Sequence, residues 1–180
     1  MQAKGIDYSA TALLGGDAAL ASEFAGGDFA TIYLAPHNYH RVHMPLAGTL
    51  RIARFIPGDL FSVNASTAAS VPGLFTRNER VACVFDTAAG ALARRTGRRA
   101  LRRQHEPRLD RPHRTPRGRK KAYDLPVHDP IVALDRGAEL GWFNMGSTVV
   151  VLFAPTGPAL VPGIEAGRAV RVGERLALAR

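Results

Sequence analysis

A serine that follows a glycine at the start of an apolar strand gives this sequence its most unusual chemistry. Gly146-Ser147-Thr148 leads directly into an apolar run that ends at Ala154. Glycine leaves room around the preceding carbonyl and permits strained backbone angles there, so the Ser147 hydroxyl can attack that carbonyl. Elimination from the resulting ester would break the chain and leave a pyruvoyl group, a ketone that forms Schiff bases. Taken alone, the tripeptide favours a plainer interpretation, a turn before a buried strand.

Three histidines, His37, His40 and His43, lie within seven residues and offer proton-transfer groups. Imidazole is the side chain best suited to take a proton near neutral pH. Helical spacing of two of them would suggest a zinc site, but Pro36 and Pro45 bracket the run and argue against a helix. No acidic or cysteine partner is close in sequence, so zinc is the minor alternative. Histidines satisfied by backbone partners are the structural alternative.

Length and composition indicate one domain with a hydrophobic core. The chain has 180 residues and a single cysteine, Cys83, which excludes an internal disulfide. Cys83 lies in an apolar run that predicts a buried strand and an unreactive thiol. The N-terminus has no apolar signal region, and the longest apolar run is far shorter than the ~20 residues of a membrane helix. We therefore expect a soluble or peripheral protein.

The net charge of +9 is concentrated in one segment, residues 91–121. This Arg-rich run carries +11 and leaves −2 on the other 149 residues. It has three interpretations: an anionic-surface or nucleic-acid contact, a solvated insertion, or a compensated frameshift. No aromatic residue between Phe85 and Tyr123 is available to stack on bases. We favour the frameshift and expect the run to loop out of the fold, because unpaired charges are costly to bury. Its basic residues are Arg94, Arg95, Arg98, Arg99, Arg102, Arg103, Arg108, Arg111, Arg114, Arg117, Arg119, Lys120 and Lys121.

Short strands separated by turn signals predict a mainly β fold, of the α+β kind, with a few short helices in a single domain. Strands are expected at 29–34, 50–56, 80–85, 131–134 and 147–153. Short helices are expected at 9–14 and 17–25, with Asp17 as an N-cap. A terminal hairpin is expected from strands at 169–172 and 175–178.

Four segments, in order, resemble motifs of the prokaryotic type of phosphatidylserine decarboxylase. They are Pro36–Pro45, Pro57–Asn64, Leu74–Arg80 and Glu139–Pro155. The resemblance covers most of 1–90 and 122–180 but not the Arg-rich run. It implies that residues 1–146 correspond to most of the family's β chain and residues 147–180 to its α chain.

The resemblance also implies the site and the reaction. Self-cleavage would fall between Gly146 and Ser147, and Ser147 would become a covalent pyruvoyl cofactor, with no metal. His43 would belong to an Asp–His–Ser triad that activates Ser147, and His40 would act in decarboxylation. The reaction would convert phosphatidylserine to phosphatidylethanolamine and CO₂ through a Schiff base. The partners implied are the lipid substrate, an anionic membrane surface, the chain's own α and β fragments and a second copy of the chain, but no nucleic acid. The expected location is peripheral, on the cytoplasmic side of the cell membrane.

Two features depart from the family pattern. The triad aspartate and the apolar N-terminal helices of the family precede the point at which this sequence begins, and none of Asp7, Asp17 and Asp28 has the expected context. The Arg-rich run replaces an apolar β segment. A pyruvoyl-dependent decarboxylase of a soluble amino acid, an inactive fragment and a basic nucleic-acid-binding protein are therefore the alternatives.

Overall fold

A computed structural model of the chain describes residues 2–3, 6–7, 9–62, 67, 70–96, 121–125, 132–144 and 146–180. The described helices are α1 (Ala10–Leu13), α2 (Ala18–Ser22) and α3 (Leu74–Arg77). The described strands are β1 (Gln2–Ala3), β2 (Ile6–Asp7), β3 (Phe29–Leu34), β4 (Arg41–His43), β5 (Gly48–Ile56), β6 (Arg80–Thr87), β7 (Gly90–Thr96), β8 (Tyr123–Leu125), β9 (Ala133–Leu134), β10 (Glu139–Trp142), β11 (Ser147–Phe153), β12 (Ala159–Leu160) and β13 (Ala177–Leu178).

The centre of the molecule is a seven-stranded antiparallel sheet. Its order is β3-β11-β7-β6-β5-β8, and β9 pairs with the other end of β5. β11 lies between β3 and β7, and its residues Thr148–Phe153 are buried on both faces. A run of β-branched and apolar residues suits this position because both sides of the strand are covered.

Short helices cover one face of the sheet. Ser9 Oγ accepts a hydrogen bond from the amide of Ala12, and Asp17 Oδ1 accepts one from the amide of Leu20. These N-caps begin α1 and α2 where the sequence predicted short helices. The helix-side core consists of Leu13, Leu14, Leu20, Ala21, Phe24, Ile56, Leu74, Phe75, Ala82, Val84, Val150 and Leu152.

A two-stranded ribbon, formed by β4 and β10, packs on the opposite face. Its register pairs His43 with Glu139 and Arg41 with Trp142, with a bulge between Glu139 and Gly141. The ribbon-side core consists of Val42, Met44, Phe55, Val81, Cys83, Phe85, Leu134, Leu140, Phe143, Val149, Val151 and Phe153. Cys83 is fully buried there, as predicted.

The mainly β prediction is confirmed, but the predicted C-terminal hairpin is wrong. β13 pairs with β12, through Ala159 with Leu178, and residues 169–172 form no strand. The Glu174 carboxylate accepts hydrogen bonds from the amide of Arg171 and the guanidinium of Arg168. These local bonds close a turn and use an amide that a ladder would need.

The expectation that the Arg-rich run leaves the sheet is wrong for its first six residues. Residues 91–96 belong to β7, which pairs with β6 on one side and β11 on the other. Pairing of this kind uses backbone groups, which every residue except proline supplies in full. A strand between β6 and β11 also removes two open sheet edges. Residues 97–120 lie outside the described residues.

Candidate active site

Two chain connections run side by side at the end of β3 and the start of β11. Residues 35–40 lead from β3 to β4, and residues 143–146 lead from β10 to β11. Ser147 pairs with Leu34 at one end, and the amide of Phe143 donates to the carbonyl of His40 at 3.0 Å at the other. The register therefore brings the predicted cleavage site against the loop that carries the histidines.

A side chain at Gly146 would be crowded. A Cβ at this position would lie 3.1 Å from the carbonyl oxygen of Leu34 and 3.1 Å from Cδ of Pro36. Gly146 does not have a left-handed φ, unlike nine glycines among the described residues. The tight contacts agree with the expectation that glycine removes an obstruction, whereas the φ of Gly146 gives no sign of the unusual backbone angles that were expected. The close approach seats the Gly146–Ser147 bond against the end of β3.

Ser147 shares a face of β11 with the ribbon-side core. Alternation along a strand places Ser147 on the same face as Val149, Val151 and Phe153, all of which belong to that core. The ribbon covers this face through Val42 and its neighbours. The Ser147 side chain is half-buried.

His43 is held by both of its ring nitrogens. Nδ1 lies 2.9 Å from the carbonyl oxygen of Gly137, and Nε2 lies 2.7 Å from the hydroxyl of Tyr39. A carbonyl oxygen only accepts, so Nδ1 carries the proton, and Nε2 of the neutral ring accepts from Tyr39. Alternation with buried Val42 places His43 on the outer face of β4. This tautomer makes Nε2 the basic nitrogen of His43.

His40 has the same tautomer with a different environment. Nδ1 donates to the carbonyl oxygen of Asn38 at 2.5 Å, and Nε2 is buried with no hydrogen-bond partner among the described residues. Asn38 itself is fixed by two hydrogen bonds to Ala35. Its side-chain Oδ1 accepts from the backbone amide of Ala35, and its own backbone amide donates to the Ala35 carbonyl. A buried lone pair without a partner lacks the hydrogen bond that a substrate could supply.

An ion pair borders the histidines on the ribbon. The Arg41 guanidinium donates to Oε2 of Glu139, and this hydrogen bond raises the pKa of Arg41. Oε1 of Glu139 is buried with no hydrogen-bond partner in the described part of the chain. Because Glu139 pairs with His43 in the register, its carboxylate lies on the histidine's face of the ribbon.

Two of the three candidate aspartates have partners in the structure, and the histidines can be compared with the zinc alternative. Asp17 caps α2 and pairs with Arg54, while Asp28 accepts from the amide of Leu160 and from Arg180. The side chain of Asp7 is outside the described set. His37 is exposed, and within the described residues no group of three potential metal-ligating side chains lies together.

The structure thus sets Gly146 and Ser147 at one end of the paired connections, His40 at the other end, and His43 further along the ribbon. Sequence reasoning gave no role to four neighbours: Asn38, Tyr39, Gly137 and Glu139. Asn38 carried a usable signal, because Asn favours turns closed by its own side chain. Gly137 and Glu139 gave no such signal. They contact His43 and Arg41, which lie almost a hundred positions earlier in the chain, and the pairing of β4 with β10 brings them together.

Comparison with known proteins places these features in a family. A family model described as phosphatidylserine decarboxylase matches residues 1–178, the Arg-rich run included. The chain is 51% identical over 179 residues to the phosphatidylserine decarboxylase proenzyme of Pseudomonas paraeruginosa and 52% identical over 180 residues to that of Bordetella petrii. Each match covers 98% of this chain and 62% of the relative. The chain therefore spans less than two thirds of the length of these relatives.

Proposed function

The chain belongs to the phosphatidylserine decarboxylase family, and on this premise we propose that it supplies such an enzyme with its self-cleavage site and its proton-transfer histidines. One observation carries the proposal. The Gly146–Ser147 bond is packed against the same loop that fixes His40 with an unpaired, buried Nε2. The observation places the bond proposed for cleavage and an imidazole proposed for proton transfer on one pair of neighbouring connections.

Self-cleavage starts at Ser147. His43, assigned here from the family resemblance, takes the proton of Oγ while Oγ attacks the carbonyl carbon of Gly146. The proton passes to the amide nitrogen as the C–N bond breaks, which converts the peptide to an ester. Removal of the α proton of residue 147 then breaks the Cβ–O bond. Gly146 leaves as a carboxylate and becomes the C-terminus of the longer fragment. Water then hydrolyses the imine form of the freed amino group on residue 147, which releases ammonia and leaves the ketone.

A pyruvoyl group made in this way fits the residues present. Ser147 begins a strand that is paired on the β3 side, so the group would be held at a defined position beside the loop. When formed, its carbonyl withdraws electrons from a bound amino acid, as pyridoxal phosphate does in other enzymes.

His40 is the proton carrier of the decarboxylation step. Its Nδ1 is committed to the Asn38 carbonyl, so Nε2 is the atom that gains and loses a proton. The site excludes water from this nitrogen, because the atom is buried. We assign to Nε2 the delivery of a proton to the carbon that has lost CO₂.

The substrate proposed is phosphatidylserine, and the protein would meet it as a peripheral protein on the cytoplasmic side of the cell membrane. In the described part of the chain, no helix is long and apolar enough to cross a bilayer. The other proposed associations are between the two products of cleavage and with a second copy of the protein.

Intact mass measurement of the purified chain tests the proposal. We expect two fragments that meet at Gly146 and Ser147 and whose summed mass exceeds the intact mass by the difference between water and ammonia. Simple hydrolysis would instead add a whole water. Ser147→Ala should leave one uncut chain, whereas Ser9→Ala, which removes a helix-capping hydroxyl, should be cut as the parent is. A cut Ser147→Ala chain would refute the assignment.

An activity measurement separates the lipid enzyme from its alternative. CO₂ release is compared between phosphatidylserine vesicles and free serine, with the parent and Ser147→Ala chains. Release from vesicles alone supports the proposed substrate, and release from free serine alone supports a decarboxylase of a soluble amino acid.

A further inference from the structure

The hydroxyl of Tyr39 occupies the nitrogen that His43 needs as a base. The bond between Tyr39 Oη and His43 Nε2 is 2.7 Å, and the two rings are within 9° of parallel with centroids 5.7 Å apart. Self-cleavage requires that same nitrogen to receive the proton of Ser147. The two hydroxyls therefore compete for one lone pair.

The two ends of the His43 ring are held in different ways. Nδ1 is bound to the carbonyl of Gly137, whose amide is in turn bonded to the carbonyl of Met44 at 2.8 Å. This end is fixed by backbone. Nε2 is bound to the side chain of Tyr39, which is 49% exposed in a connecting loop. The Tyr39 bond is thus the one that can open without any change in strand pairing.

We propose that Tyr39 is a positioning residue that covers Nε2 of His43, fixes the Nδ1–H tautomer, and restrains the base until the phenol swings into solvent. The inference rests on the proposed function only for its consequence, the rate of self-cleavage. In the neutral ring the phenol donates to Nε2, and in the cation the phenol oxygen accepts from it. Tyr39 can therefore hold His43 before and after proton transfer.

The test is Tyr39→Phe in the full chain, which removes the hydroxyl and keeps the ring. Tyr123→Phe is the matched control, because it makes the same change on β8, where the ring packs 5.3 Å from Phe55. Long-range ¹H–¹⁵N spectra of ¹⁵N-histidine protein report the tautomer of His43. Acylation by diethyl pyrocarbonate, mapped by mass spectrometry, reports how available Nε2 is.

In Tyr39→Phe, the Nε2 resonance of His43 should shift from its position in the parent, because the bond from the phenol is lost. Acylation at His43 should be roughly twofold to tenfold faster, the range that one net hydrogen bond covers. Self-cleavage should accelerate by a similar factor. Tyr123→Phe should match the parent in all three. An unchanged His43 spectrum and acylation rate in Tyr39→Phe, or slower cleavage, would overturn the proposal.

Failure of the proposed function gives a different result. If neither the parent nor Tyr39→Phe is cut between Gly146 and Ser147, the function is refuted. The spectra and the acylation rates are measured on uncut chain, so they still decide whether Tyr39 restrains Nε2.

Discussion

The two faces of the central sheet treat their buried polar groups in opposite ways. On the helix side, Arg80 is 2% exposed and donates to four backbone carbonyls, those of Ala12, Leu13, Thr76 and Asn78. Burial lowers the pKa of Arg80 to about 10, which still leaves it charged at neutral pH. On the ribbon side, His40 Nε2 and Glu139 Oε1 are buried with no hydrogen-bond partner in the described part of the chain.

This difference separates a structural group from a reactive one. Arg80 joins the C-terminal ends of α1 and α3, where carbonyls lack helical partners. Its guanidinium therefore acts as a structural hydrogen-bond donor that stabilises the two helices. A buried atom left without a partner costs free energy in the resting state. Atoms of that kind gather where a substrate or a proton supplies the missing partner.

The largest effect is expected from the two histidines. His43→Ala should remain essentially uncut, because removal of a general base costs about 10²- to 10⁴-fold in rate. His40→Ala should be cut and then fail to decarboxylate. Intact mass follows the first property, and CO₂ release from phosphatidylserine vesicles follows the second. The opposite pattern in the two variants would exchange the roles.

Arg80→Met should damage the other face and leave the chemistry of His40 and His43 unchanged. Four carbonyls lose their donor, and a loss of about 3–5 kcal/mol in the free energy of unfolding is expected. Urea denaturation measures it. The control is Arg51→Met, since Arg51 makes exposed ion pairs with Glu23 and Asp86 that should contribute at most about 1 kcal/mol. Equal losses in the two variants would contradict a structural role for Arg80.

The smallest effect is expected at Thr148. This residue is an exception on the helix side, because within the described part of the chain its buried hydroxyl is not hydrogen-bonded as Arg80 is. Thr148 is 3% exposed, and its Oγ1 has no hydrogen-bond partner within the described residues. If this hydroxyl has no function, Thr148→Val should change stability by less than about 1 kcal/mol and leave self-cleavage intact. Slower cleavage would show that the hydroxyl takes part in the chemistry next to Ser147.

Local sequence patterns anticipated a large part of this architecture. Alternation and β-branched runs located β3, β5, β6 and β11, because each is long enough for burial to dominate its composition. The chemistry predicted for Ser147 and the histidines came from the resemblance of four ordered segments to one family, since a Gly-Ser-Thr tripeptide alone favours a turn. Their roles as base and proton donor stay predictions.

Contacts between distant parts of the chain were not visible in the sequence. The ribbon has strands of three and four residues, too short for a periodic signal, and its register alone brings Gly137 and Glu139 to the histidines. β7 was missed because its composition is basic while its place is set by the backbones of β6 and β11. The frameshift hypothesis for 91–121 stays a prediction, and reading the other frames of the gene would decide it.

The position of β11 has a consequence for the fate of a cut chain. The proposed cleavage before Ser147 would make β11 the first strand of a new, short polypeptide. β11 is hydrogen-bonded on one side to β3 and on the other to β7, and both would belong to the longer polypeptide. An inner strand of the sheet would then come from the short fragment and both of its neighbours from the long one. The two fragments could not separate without breaking the sheet. Because melting would then release two separate chains, the melting temperature of a nicked molecule should fall on dilution, whereas that of the uncut chain should not, and reassembly after denaturation should become second order in protein concentration.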